Sequence, residues 1–177
     1  MHINKKKGAG WLVRVALLSA LAIVLQIAEN MIAVPYPVPG GKLGISNIVL
    51  LVALDGFGFT AAAAVILVKT LAAGLLHSGI MSCIYSLTAS FASLLAMVGT
   101  RALLKDQVSL IGISVIGAFF FNVTQVCVAA LVLGGTAVFA YLPFLIVVSA
   151  AAGCVTGLVG ELAAKRLAPF FRGGIGG

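Results

Sequence analysis

The sequence predicts an all-α integral membrane protein, a single domain over residues 1–177 with six transmembrane helices and both termini cytoplasmic. Three observations carry this. First, 62% of the 177 residues are hydrophobic and 8% are charged, with a mean hydropathy of +1.24. A soluble domain of this size needs far more charge to cover its surface. Second, apolar runs of roughly 20 residues follow one another, which favours helices over a barrel built from short alternating segments. Third, the basic residues gather at alternate breaks between the runs, which is the positive-inside pattern.

Helix 1 is expected at about 11–34, a retained span rather than a cleaved leader, since no A-x-A exit follows it. Helix 2, about 43–55, is short for a full crossing. Helices 3 to 6 are expected at about 58–76, 79–104, 108–134 and 138–168. The breaks are Asp55-Gly56-Phe57-Gly58, His77-Ser78-Gly79, Lys105-Asp106-Gln107 and Gly134-Gly135-Thr136, each a turn-forming or polar cluster. With six spans, one side of the membrane collects Lys5, Lys6, Lys7, Arg14, Arg101, Lys105, Lys165, Arg166 and Arg172. The other side keeps Lys42 and His77, and an odd number of spans would split the basic set. The net charge of +7 is thereby assigned to topology, and nucleic acid is not an expected partner.

The stretch Glu29–Asn47, ENMIAVPYPVPGGKLGISN, does not suit lipid as plain helix. It holds Pro35, Pro37 and Pro39, then Gly40 and Gly41, Lys42, and the Ser46-Asn47 pair. Polar groups at membrane depth are costly and face protein or a water-filled cavity. They fall in the outer half of each span: Gln26, Glu29 and Asn30 on one face of helix 1; Ser46 and Asn47 on helix 2; Lys69 and Thr70 on helix 3; Ser82, Tyr85 and Ser86 on helix 4; Asn122 and Gln125 on helix 5; Tyr141 on helix 6. Their shared depth predicts a pocket open to the outside, with residues 35–42 as its lid. The candidate ligand-binding residues are Glu29, Asn30, Lys42, Ser46, Asn47, Lys69, Tyr85, Asn122 and Gln125.

Each residue also has a plainer reading. Glu29 can reach interfacial water, and Lys69 can snorkel or pair with Glu29. His77 suits an interfacial loop, Asn122 and Gln125 suit cross-links between helices, and Tyr85 and Tyr141 suit an aromatic belt. Two strips of small residues are also present. Ala16 and Ala20 lie roughly 100° around helix 1 from the polar face, and Gly153, Gly157 and Gly160 line helix 6, suited either to internal packing or to a partner helix.

Catalysis is not expected. Gly40-Gly41-Lys42-Leu43 lacks the leading glycine and the Ser/Thr of a P-loop, and no strand precedes it. The four acids, Glu29, Asp55, Asp106 and Glu161, are dispersed, so no aspartate cluster holds Mg²⁺ on a diphosphate. Glu161 is placed to pair with Lys165 one turn on. Cys83, Cys127 and Cys154 are isolated in apolar runs, so neither a metal nor a disulfide role is expected of them, and no cofactor is expected.

Three segments, ALLSALAIVLQIAENMI, PVPGGKLGISNIVLLVAL and SLIGISVIGAFFFNVTQVCVAALVLG, resemble the small bacterial membrane family called Gx transporters, also labelled heptaprenyl diphosphate synthase component I. The family is in turn similar to the S components of energy-coupling factor (ECF) transporters for vitamins. The resemblance implies an S-component-like bundle in the plasma membrane, taking up a vitamin-like or isoprenoid-, quinone- or flavin-related molecule. It implies a transmembrane coupling subunit and two cytoplasmic ATPases as partners, with Ala16 and Ala20 matching the Ala-x-x-x-Ala contact motif. The alternatives are a non-catalytic membrane component associated with heptaprenyl diphosphate (menaquinone side-chain) synthesis, a stand-alone carrier, or a scaffold in redox metabolism.

Overall fold

The structure is a computed structural model that describes residues 8–31, 44–75 and 79–172. Six α-helices account for nearly all of them: α1 Ala9–Met31, α2 Asn47–Phe57, α3 Phe59–Ala73, α4 Gly79–Leu104, α5 Leu110–Leu133 and α6 Leu142–Arg172. Four helices, α1, α4, α5 and α6, are long and apolar enough to cross a membrane, while α2 and α3 are shorter apolar helices. At 1.5 Å per residue, α2 rises only ~16 Å and α3 ~22 Å against a hydrocarbon core of about 30 Å. The polar residues at the start of the short α2, Ser46 and Asn47, are buried inside the bundle.

α3, α4, α5, α6 and α2 pack in that order into a ring that closes between α2 and α3, and α1 lies outside against α2 and α3. The inner end of α2 does not break where the Asp55-Gly56-Phe57-Gly58 cluster suggested. The helix continues through Asp55 and Gly56, and the break is at Gly58 alone. Gly58 takes φ 80°, ψ −174°, a conformation open to glycine and very little else, while its N–H still closes on Leu54 O at 3.1 Å. Asp55 is held in the helix by an ion pair with Arg101 of α4 at 3.0 Å, and Arg14 of α1 lies over the Phe57 ring at 5.8 Å. The Glu161–Lys165 pair forms along α6 at 2.7 Å.

The other boundaries have simple local causes. Ser109 caps α5 by accepting from Gly112 N at 3.2 Å. Gly134 ends α5 in the left-handed conformation, with its N–H on Ala130 O. A 3₁₀ stretch over Thr136–Tyr141 then leads into α6, so Tyr141 is not yet on that helix.

The core is built from small and branched residues. Val15 and Ala22 of α1, Val49–Leu54 of α2, Ala61, Ala62, Val65 and Ile66 of α3, and Leu94 and Met97 of α4 bury their side chains together or beside one another. Leu12, Leu17, Leu21 and Val24 of α1 and Phe144, Val147, Val155, Leu158 and Leu162 of α6 point outward and are exposed. Polar groups inside and large apolar groups outside is the distribution a lipid solvent permits.

The glycine strip of α6 belongs to internal packing. A Cβ on Gly153 would come 2.6 Å from Val115 Cα, and one on Gly157 would come 2.6 Å from Ile111 Cα, so α6 lies directly on the α5 backbone. A Cβ on Gly160 would meet Leu51 of α2 at 2.7 Å. Across the same α5–α6 contact, Ser114 and Thr156 share a hydrogen bond of 2.7 Å.

Candidate functional site

The site is organised by the first residues of α2. Gly44 precedes the helix at φ 83°, in the left-handed region, and its N–H donates to Glu29 Oε1 of α1 at 2.5 Å. A Cβ there would also come 2.8 Å from Asn47 Nδ2 and 3.4 Å from the Phe121 ring of α5, so glycine serves both the conformation and the space. From α3, Lys69 Nζ donates to Ser46 Oγ at 3.1 Å and to Asn47 Oδ1 at 3.0 Å. Residues 44–47 are thus strapped between a carboxylate on α1 and an ammonium on α3.

Lys69 is only 2% exposed, in the half of α3 farther from the Asp55–Arg101 pair. A buried ammonium in a membrane bundle is expensive unless it is held by polar groups, so its place here calls for a purpose beyond packing. On α1, α3 and α4 further polar atoms are buried with no hydrogen-bond partner among the described residues. They include Gln26 Oε1 and Glu29 Oε2 on α1, Thr70 Oγ1 on α3, and the hydroxyls of Ser82 and Ser86 on α4. A buried polar atom without a partner costs roughly 1–3 kcal/mol, so a cluster of them marks a place where a ligand or water completes the structure.

Of the residues predicted for the pocket, the structure brings Glu29, Ser46, Asn47 and Lys69 together at this end of the bundle. Gln125 is buried on α5. Asn122 is also buried, and its amide donates to Ser149 Oγ of α6 at 2.9 Å and to Ala118 O at 3.2 Å. That geometry is a helix cross-link, with the Ser149 hydroxyl in turn donating a hydrogen bond to Leu145 O at 2.6 Å. Tyr85 is buried in a second apolar cluster with Val126, Ala129, Val138 and Leu145, while Tyr141 is exposed. Lys42, the 35–42 segment and His77 lie outside the described residues, as does the side chain of Asn30. Ala16 and Ala20 are exposed on α1, to one side of the buried stripe of Val15, Ser19, Ala22, Gln26 and Glu29.

Sequence reasoning missed Gly44, Ser149, and the deeper serines Ser90 and Ser93 of α4, which are also buried and unpartnered. The signal for the serines was present: 82, 86, 90 and 93 keep one helical face. Gly44 gave a weaker one, a glycine just before a helix of polar start.

Residues 18–163 match the family of heptaprenyl diphosphate synthase component I. A comparison with curated proteins finds no match. Among solved structures, one described as the S component of a bacterial ECF transporter superposes with a TM-score of 0.69 at 27% sequence identity. The superposition covers 92% of this chain and 97% of that one. The fold is therefore that of an ECF S component, and the protein is a multi-pass membrane protein. With the match running across most of its length, the chain belongs to the heptaprenyl diphosphate synthase component I family.

Proposed function

We infer that the protein is the substrate-binding membrane subunit of an uptake system, and that it takes a small molecule at the Lys69 end of the bundle. The observation that carries this is the buried Lys69 ammonium, strapped to Ser46 and Asn47 amid unpartnered polar atoms. The fold shared with an ECF S component supports it. Glu29, Ser46, Asn47, Lys69, Tyr85 and Gln125, with Asn30 and Lys42, are the residues assigned to the ligand, and Asn122 is assigned to holding α5 against α6. The charged ammonium suits an anionic or carbonyl group, and the Lys69 end faces outside with both termini cytoplasmic.

Energy comes from a separate ATP-driven coupling module, because the chain has no P-loop of its own. The exposed Ala16–Ala20 face of α1 is the surface for that partner, since small residues let a second helix approach closely. Ala16→Trp or Ala20→Trp is expected to abolish uptake and leave ligand binding intact. Loss of both together would mean that this face of α1 serves the fold instead.

Purified in detergent, the protein is expected to carry a small molecule or to be thermally stabilised by one. Flavins, quinone precursors, prenyl diphosphates and thiamine-like compounds are the first panel, and no shift with any of them, with nothing released on denaturation, would count against the reading. Cysteine at Lys105 is expected to label from the cytoplasmic side alone.

The family description favours a second reading, a membrane component associated with prenyl diphosphate synthesis. The acids do not lend themselves to that chemistry. Asp55 is engaged by Arg101, Glu161 by Lys165, and Glu29 Oε1 by Gly44 N. An enzymatic role is therefore not proposed, and a non-catalytic association is what this second reading retains. Prenyl transfer measured with the purified chain and its partner would overturn both points.

A further inference from the structure

The four unpartnered serines of α4 extend the site in one direction. Ser82, Ser86, Ser90 and Ser93 share one face, and their exposure falls along it from 7% through 3% and 1% to 0%. None of their hydroxyls has a hydrogen-bond partner among the described residues. Ser19 of α1 and Thr70 of α3 share this state singly, while several other hydroxyls in the bundle are satisfied within their own helices. Thr88, Thr100, Ser149 and Thr156 bond back to carbonyls of their own helices at 2.6–3.2 Å. Back-bonding is the usual way a helix satisfies a buried hydroxyl, so four aligned exceptions call for an external partner.

The stripe begins at the level of Lys69. Cys83 Sγ of α4 donates to Thr70 O of α3 at 3.2 Å, which sets the first turns of α4 beside residues 69 and 70. The Thr70 hydroxyl, itself 2% exposed and unpartnered, adds a further unmet group at that level. The far end is closed. A Cβ on Gly117 of α5 would lie 2.6 Å from Met97 Cε and 3.1 Å from Ser93 Oγ, so α4 and α5 are in close contact there. The part of the stripe short of that contact is Ser82 to Ser90, eight residues or ~12 Å of helix rise.

Building on the ligand-binding reading, we propose that the ligand has an anionic or carbonyl head at Lys69 and a hydroxyl-bearing body along Ser82, Ser86 and Ser90. A prenyl tail in that position would leave three buried hydroxyls unmet, whereas a polyol meets each as donor or acceptor. The interior thus selects against the isoprenoid class and for a hydroxylated one.

A matched pair of probes tests this: sorbitol 6-phosphate and hexyl phosphate, equal in chain length and head group, with farnesyl diphosphate as the isoprenoid. Binding is measured in detergent to the wild type and to the Ser82→Ala/Ser86→Ala/Ser90→Ala variant. The wild type is expected to prefer the polyol by about a hundredfold, about fivefold for each of three hydrogen bonds. The variant is expected to lose that preference while keeping or raising its unfolding temperature, since unmet hydroxyls do not stabilise the empty fold. Equal or tighter binding of hexyl phosphate or farnesyl diphosphate to the wild type overturns the proposal. So does a variant destabilised without ligand, which would mean that ordered water already satisfies the serines. If none of the three probes binds, the hydroxylated subsite is rejected, and the mass of the molecule released from the purified protein decides separately whether the binding reading stands.

Discussion

Lys69→Met is expected to weaken ligand binding by about thirtyfold or more, because removing one partner of a buried charged contact costs roughly 2–5 kcal/mol. The same change should leave the empty protein folded. Methionine has nearly the length of the lysine stem, and it removes the cost of keeping an ammonium 2% exposed in a membrane bundle. Against this stands the loss of the two hydrogen bonds to Ser46 and Asn47, each worth about 1 kcal/mol. The terms oppose one another, so the net change in stability should stay within about 2 kcal/mol. The measurement is a pair of titrations and a pair of melting curves in the same detergent, with the molecule that co-purifies as the ligand. Unchanged affinity would reduce Lys69 to a tie between α3 and the start of α2. A large fall in unfolding temperature together with lost binding would show that its role is structural.

Gly157→Leu should act on the fold instead of the ligand. Even the first carbon of the new side chain would sit 2.6 Å from Ile111 Cα and 3.1 Å from Ser114 Cβ. The obstruction is backbone, which cannot swing aside as a side-chain tip can. α6 must then lift away from α5, and the Ser114–Thr156 hydrogen bond of 2.7 Å is lost with the packing. Overpacking of this kind costs about 3 kcal/mol or more, a large share of the stability of a small domain. The expected result is poor accumulation in the membrane, or unfolding at much lower temperature by circular dichroism in detergent. Gly99→Ala is the matched control on α4. Its Cβ meets nothing within 4 Å, and alanine favours helix by about 1 kcal/mol, so stability should hold or rise. Wild-type stability in Gly157→Leu would mean that α6 does not rest on Ile111.

These two residues also show how much could be read before packing was known. Lys69 was recognisable because a lysine inside an apolar run is anomalous in any membrane helix. Its partners were harder, since Ser46 and Asn47 lie 23 and 22 residues away, and spacing within one helix says nothing about contacts between helices. Gly157 was visible as part of a small-residue strip, but such a strip serves a neighbour in the same chain or in another equally well. Three-dimensional packing separated the two strips: Gly153, Gly157 and Gly160 turned inward, and Ala16 and Ala20 stayed exposed. Asn122 was legible as a buried amide, while its use on Ser149 depended on the approach of α6.

Composition and the position of charge alone determine that this chain is helical and embedded in a membrane. Water and lipid sort residues by polarity whatever their neighbours, so 62% apolar residues and successive apolar runs leave few other solutions. Folding in space decided which polar atoms meet and which remain without partners. The short α2 begins inside the bundle, so Gly44, Ser46 and Asn47 reach Glu29 and Lys69. The serines of α4 are left unpartnered because their face turns inward where none of the described groups answers them. That difference depends on distances between helices, and hydrogen bonds respond to tenths of an ångström that no pattern along the chain records.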